Sequence, residues 1–515
     1  MNNIARAASA CLLAAAMAAA PPIHAQLPAS FDGFDRFVEE QLAAWRTPGA
    51  QVAIVRDGRL VFAKGYGWRD LDKRLPMTAA TVQPIGSIAK SMTAITLAKV
   101  VAQGKLGWDR PVRESMPDFR LADDSLASQV TLRDLMTHRS SFNGSDWVWY
   151  CAPDTREQLM AKLRHLELKG GLRERFQYSD SMYVVAGYLA GRAAGSTWEQ
   201  LVQRDILDPL AMTSAGFTMA QYFRSPDHSM PYANDAQGNP RPMKPCEADA
   251  VGPAGGFLFA SAEEMGRYVA MLASGGSYGG KTIIEARDLQ TITAPQTVMS
   301  ARTPYAEVSG AQYGMGFITL YYRGLETFRH NGSNDGWKAR FQVLPSSRSG
   351  LYVAINSLED ELLLTLSYGI LDRLAGLTPI DWTARFVAER EKTRATVAEA
   401  RAKRAQARAG ASRPSRDFAD FAGTYLHAGY GSMTVSRPAR ASDRAALEAT
   451  FHGFTVPLVH ARYDVFEAEP TGRHGSQDPL QESAVMFLTG FAGDVTGLRF
   501  KMTPAADPVE FVRAK

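Results

Sequence analysis

Cysteine is scarce: three in 515 residues, at Cys11, Cys151 and Cys246. Neither Cys151 nor Cys246 lies in a CxxC pair or a Cys/His cluster, and no run of His and Asp has ligand spacing. A structural zinc site and a metal-dependent hydrolase are therefore disfavoured. An excess of one charge is also lacking. Lys+Arg number 57 against 53 Asp+Glu, a formal charge of +4, and no folded segment carries a dense basic stripe. That argues against a nucleic-acid partner. After the first 26 residues no apolar run approaches the length of a bilayer span.

The N-terminus is different. "MNNIARAASACLLAAAMAAAPPIHAQ" has a positive start at Arg6, an Ala/Leu run, prolines, and Ala25 before Gln26. It reads as a signal peptide over residues 1–25, with a retained membrane anchor as the alternative. The expectation is an exported, periplasmic protein with no stable membrane span after cleavage. Removing Cys11 leaves two cysteines. An even count in an oxidising compartment points to a Cys151–Cys246 disulfide, the alternative being two buried thiols.

A chain of this length calls for two or more domains. "GAQVAIVRDGRLVFAKGYG" reads as a β-hairpin turning at Asp57-Gly58, with Val52 and Ile54 alternating with smaller residues. "KSMTAITLAKVVAQGKLGW" has Met92, Ile95 and Val100 at helical spacing and stops near Gly104. A mainly helical middle follows, including a capping box at Ser261 and Glu264. Strands return where Ala339, Phe341 and Val343, then Leu351, Val353 and Ile355, alternate. Strands at both ends of a helical section predict an α+β fold: one antiparallel sheet built from both ends of the domain, with helices inserted between. This first domain is expected over residues 26–383. Residues 384–415, Ala- and charge-rich without an apolar face, predict a solvated helical linker. Residues 416–515 carry short period-2 strands between Gly, Pro and Asp, the pattern of a small all-β domain.

Chemistry is suggested by "PIGSIAKSMTAI". A serine hydroxyl is a weak nucleophile and needs a base within hydrogen-bond reach. Ser87 and Lys90, three apart at a helix start, share one face, and the helix N-terminus favours developing negative charge. The pair alone is weak, because roughly one such spacing is expected by chance in a chain this long. Two further motifs add weight. Tyr178-Ser179-Asp180 heads another helical pattern, and Tyr178 is a candidate second base. His330-Asn331-Gly332 leads into a strand, where glycine would let a substrate lie against the backbone. His138 reads as a backbone anchor beside the site. Trp147, Trp149 and Tyr150, next to Cys151, read as a substrate-side wall or as packing under a loop.

Ser-x-x-Lys after a hairpin, then Tyr-x-Asp, then His-Asn-Gly on a late strand resembles the serine β-lactamase and penicillin-binding-protein superfamily. The class C-like branch, which includes esterases and D-amino-acid peptidases, is the nearest match. "TLRDLMTHRSSF" and "GPAGGFLFASAEEMGRY" resemble segments of the same branch. The tail resembles the lipocalin-like C-terminal domain of some members. The resemblance implies that Ser87 is acylated and that Lys90 and Tyr178 share its proton. It further implies an oxyanion hole formed by the N–H groups of Ser87 and Ser333, each such donor being worth about 3–4 kcal/mol in the transition state. Asp180, His330, Asn331 and Gly332 would contact substrate, a small molecule or short peptide. No metal or organic cofactor is implied.

Two positions depart from the family pattern. Asp180 stands where the family usually has Asn, and beside Lys90 it would favour the ammonium, leaving Tyr178 as the base. Pairing of Asp180 with a substrate amine is the sharper reading. His330 stands where β-lactamases carry lysine, leaving less fixed positive charge for a β-lactam carboxylate. The expected function is an exported serine hydrolase of an ester or amide. A β-lactamase or DD-peptidase proper and a silent cell-wall-peptide sensor are the alternatives.

Overall fold

The computed structural model describes residues 27–142, 146–235, 237–299, 305–409, 412–438, 447–469, 483–502 and 507–515. The expected signal peptide lies outside the described residues. The turn at Asp57-Gly58 has positive φ at both residues, 51° and 74°. That is the primed two-residue turn whose twist matches its strands. It joins Gly49–Arg56 to Arg59–Asp70, with Arg56 opposite Arg59.

These two strands belong to a nine-stranded sheet with antiparallel neighbours. Its spatial order is Thr297–Val298, Val308–Tyr313, Ile318–Tyr322, Leu325–Asn334, Trp337–Leu344, Ser349–Ile355, Gly49–Arg56, Arg59–Asp70, Leu75–Pro76. Both ends of the domain thus build one sheet, as the α+β reading expects. The central strands are buried on both faces, and their alternation separates two cores. Val52, Ile54, Leu351, Val353 and Ile355 pack with the helices Phe34–Trp45 and Asp360–Leu374. Ala53, Val55, Ala339, Phe341 and Val343 face the opposite layer, which contains the helix Ala262–Ala273. Ser261 and Glu264 form the capping box at the head of that helix.

The helix Ala89–Ala102 departs from the amphipathic reading. Lys90, Ser91, Thr93 and Thr96 are buried together with Met92, Ile95 and Val100. A helix covered all round runs through the interior. Its polar residues therefore need internal partners: Thr93 Oγ1 donates to Pro253 O at 2.7 Å, and Ser91 Oγ pairs with Tyr268 Oη at 2.7 Å.

The charged segment forms the helix Trp382–Ala409. Trp382 and Phe386 anchor its start beside Tyr322 and Tyr368, and Arg408 near its end pairs with Glu467. Among the described residues eight strands then close an antiparallel barrel, from Gly423–His427 to Val509–Arg513. Closure leaves no sheet edge. Phe421, Tyr425, Phe466 and Phe487 lie in its interior cluster.

The barrel sits against the first domain through the hairpin of Leu447–Phe451 and Phe454–Arg462. The Phe454 ring stacks on Tyr150 at 5.7 Å, and Phe451 meets Trp147 at 5.6 Å. His452 places its two ring nitrogens against Tyr150 O and Tyr430 O, at 2.8 and 2.9 Å.

Candidate active site

Three chain segments meet at Ser87, and glycine is what lets them meet. Gly86 takes φ +54°, and a Cβ there would lie 2.4 Å from Ser333 N. A Cβ on Gly255 would lie 2.9 Å from Ser87 N, and one on Gly332 would lie 1.8 Å from Ile85 O. Gly332 thus accommodates the backbone preceding Ser87, where the sequence suggested room for a substrate. Gly332→Ala forces two backbones apart, and neither can give as a flexible side chain would. We expect a stability loss on the order of 3 kcal/mol, read from urea midpoints. Ser87 labelling should slow in parallel, since the same contact holds the Ser87 turn.

Ser87 lies in the turn Gly86–Ile88, immediately before the helix Ala89–Ala102. Lys90, one turn on, is fully buried. Its Nζ donates to Ser87 Oγ at 3.0 Å and to Ala254 O at 2.5 Å. Asp180 Oδ1 lies 2.5 Å away but out of line for a hydrogen bond, so that contact is an ion pair. Two oxygens thus accept from Nζ, and the Asp180 carboxylate faces it as a counter-charge, which favours the ammonium form. The same Nζ lies 4.7 Å from the Tyr178 ring centroid and 5.5 Å from that of Tyr183, within cation–π range.

Tyr178 and Asp180 flank Ser179, which caps the helix Asp180–Ala194 by accepting from Met182 N. His138 Nδ1 accepts the Ser179 N–H at 3.0 Å, which places the imidazole proton on Nε2. The ring lies 4.3 Å from that of Tyr178. Burial, helped by the Lys90 charge, holds His138 well below the ordinary histidine range. A neutral, buried His138 positions the backbone between Tyr178 and Asp180.

The strand Leu325–Asn334 alternates around the site. His330 is 3% exposed and does not line the cavity above Ser87. Its Nδ1–H donates to Asn331 O at 2.6 Å, which leaves Nε2 to accept from Tyr313 Oη at 3.0 Å. Asn331 points to the opposite face, where its Oδ1 accepts from Arg329 at 3.0 Å and from buried Arg340 at 3.3 Å. Both side chains are therefore committed to internal partners, a correction to their expected substrate contacts. Period 2 along a strand sends neighbours to opposite faces, and at His330 and Asn331 both faces are still covered by internal partners. Asn334 and Asp335, further along, do line the cavity with Ser333.

Burial, reinforced by the Lys90 charge, pushes His330 down to about 3. The unfolded chain titrates near 6.5, so it takes up protons that the folded state refuses. Stability is fully present above about pH 6.5 and falls as pH drops toward 3, by roughly 1.4 kcal/mol per unit for this residue. His330→Gln should flatten the pH dependence of the urea midpoint between pH 6.5 and 4.5, with His138 supplying the remaining slope.

A cavity of about 410 Å³ opens above Ser87. Tyr178, Asp180 and Ser333 line it, together with Trp149 and Tyr150. Cys151 and Cys246 form a disulfide, and Cys246 is part of the wall. Tyr150 Oη donates to Asp335 Oδ1 at 2.5 Å, and Cys246 N donates to Asp335 Oδ2 at 2.8 Å. Asp335 thereby ties both sides of the disulfide loop to the strand carrying Ser333. Phe454, from the barrel, also faces the cavity. Sequence reasoning gave no role to Ala254, Lys244, Asp335 or Phe454. A carbonyl acceptor such as Ala254 O leaves no trace in side-chain type, and Phe454 reaches the site only through domain packing.

A layered α+β domain with Ser-x-x-Lys at the mouth of a buried helix defines a β-lactamase/transpeptidase-like protein. A family model described as Beta-lactamase matches residues 34–374, and the chain belongs to that family. It is 25% identical over 440 residues to an unguisins hydrolase of Aspergillus violaceofuscus, covering 78% of this chain and 76% of that protein. Among solved structures, it resembles the octameric penicillin-binding protein homologue from Pyrococcus abyssi. The TM-score is 0.60 and the identity 22%, over 94% of this chain and 99% of that one. The D-amino acid amidase from Ochrobactrum anthropi gives a TM-score of 0.55 at 18% identity, over 67% of this chain and 97% of that one. At such identities the solved structures speak for the fold alone. The family and its hydrolase relative support a serine hydrolase. Among the described residues no helix is long and apolar enough to cross a membrane.

Proposed function

We propose that this protein is an exported serine hydrolase that cleaves an ester or amide, a D-amino-acid peptide or small ester, through an acyl-enzyme on Ser87. The observation that carries this reading is Lys90 Nζ at 3.0 Å from Ser87 Oγ, in a glycine-closed cradle under a cavity. Ser87 Oγ attacks the carbonyl carbon, and the N–H groups of Ser87 and Ser333 receive the oxyanion. Lys90, with the Asp180 carboxylate as counter-charge, acts as a fixed positive charge beside the nucleophile. Tyr178, as phenolate, takes the Ser87 proton and returns it to the leaving oxygen or nitrogen. Water then hydrolyses the ester, with Tyr178 receiving the proton of the water and passing it back to Ser87.

The substrate class draws on the wall and on the relatives. A neutral, inward-turned His330 gives a β-lactam carboxylate no cation at that strand position, and the Asp180 carboxylate on the wall opposes it. That favours esters and amides over efficient β-lactam turnover. The name of the unguisins hydrolase supports hydrolysis as the reaction. The Cys151–Cys246 bridge supports an oxidising compartment.

The test is incubation of the mature protein with a fluorophosphonate, short p-nitrophenyl esters, D-alanyl amides and a chromogenic cephalosporin, followed by turnover and intact mass. Fast ester or amide turnover with only slow cephalosporin acylation is the expected result. Absence of any adduct on Ser87 would falsify the hydrolase reading and leave a binding protein.

A further inference from the structure

A second cavity, of about 700 Å³, adjoins the one above Ser87. The two share Trp149, Lys244, Cys246, Ala248 and Phe454 in their walls. They are therefore two chambers of one cleft, with the disulfide loop and the barrel hairpin at the junction. Beyond that junction Pro153, Leu159, Met219, Pro245 and Val251 supply apolar wall, while Asp154, Glu247 and Asp249 add carboxylates at its edge, of which Asp154 is paired with Lys162 and Asp249 accepts from Met219 N at 3.0 Å. Mostly apolar, concave walls with few polar groups are what binding sites for organic groups have. Its rigid frame is unusual in origin. One side is clamped by Cys151–Cys246 and the other is delivered by the C-terminal barrel through His452–Phe454.

We infer that the far chamber is a remote subsite for an apolar group of the substrate, such as a bulky aliphatic or aromatic residue. That group lies next to the residue bearing the scissile bond. The inference rests on the hydrolase reading and deepens it: the substrate is an apolar peptide longer than a single amino-acid amide. The contiguity of the chambers supplies the path, and Lys244 on the shared rim supplies a cation where the substrate crosses. Burying one extra apolar residue in a formed pocket raises kcat/KM without new chemistry, because the added contact persists in the transition state.

The test compares D-alanine p-nitroanilide with Leu-D-Ala-p-nitroanilide, and D-alanine amide with D-Ala-Leu amide, so that each side of the scissile bond is extended in turn. On the intact protein, one extension is expected to raise kcat/KM by about tenfold or more, the scale of a few buried methylenes. Met219→Trp and Ala152→Leu each fill the far chamber from a different segment, and neither residue is itself part of the near lining. In both, the ratio of extended to short substrate should fall to near one, and using a ratio removes any general loss of fold. The subsite is overturned if neither extension helps the intact protein, or if both filled variants keep the full gain. Turnover of the short substrates with no gain on extension rejects the subsite alone. No turnover and no Ser87 adduct reject the hydrolase reading and the subsite with it.

Discussion

Ser87→Ala is expected to lower the turnover of every ester and amide substrate by at least about 10⁴-fold, the scale on which removal of a serine nucleophile acts. The intact-mass adduct with a fluorophosphonate should vanish. The fold should survive, because the change removes one hydroxyl that makes a single side-chain hydrogen bond to Lys90, worth about 1 kcal/mol. A thermal midpoint within a few degrees of the parent would therefore accompany the loss of activity. Tyr178→Phe separates the roles further. If Tyr178 takes the proton, its variant turns over ester and amide substrates slowly, while Ser87 remains reactive to the fluorophosphonate. Retained turnover in Ser87→Ala would place the chemistry elsewhere.

Lys90→Met should be nearly as damaging, and on two readouts at once. The side chain is buried, and it faces Ser87 Oγ, Ala254 O and Asp180. Its removal strands the Asp180 carboxylate, and breaking a buried pair in this way costs about 3–5 kcal/mol. Turnover should fall by roughly 10³-fold with the loss of a charge poised at the nucleophile. The double variant Lys90→Met/Asp180→Asn removes the stranded charge as well. It should regain most of the urea midpoint and little of the turnover, a non-additivity that a double-mutant cycle measures. Recovery of both would mean that Lys90 serves packing alone.

The site was legible in the sequence where local spacing decides geometry. Ser87 and Lys90 meet because i and i+3 share a helix face, and Asp180 heads its helix beside Tyr178. It was not legible where a strand residue must choose a face. His330 and Asn331 carry suitable chemistry, yet His330 bonds Tyr313 and Asn331 bonds Arg329 and Arg340. The composition of the motif could not say how far along the strand the packed interior ends and the cavity begins. Gly332 shows the same limit: a glycine signals close approach, but not of what. Here the close neighbour is Ile85 O.

By itself the sequence determined the order of strands and helices, the hairpin at Asp57-Gly58 and the alternation that divides Val52 and Ile54 from Ala53 and Val55. It also determined a serine and a lysine on one turn. Each of these depends on interactions within a few residues or on a fixed period of side-chain direction. Only the tertiary structure decided that Lys90 would sit between Ala254 O and Asp180. It alone placed Asp335 across the disulfide loop and brought Phe454, 367 positions beyond Ser87, to the cavity wall. Those contacts join segments far apart in the chain, and their geometry comes from the packing of the two cores and the barrel, which no local pattern encodes.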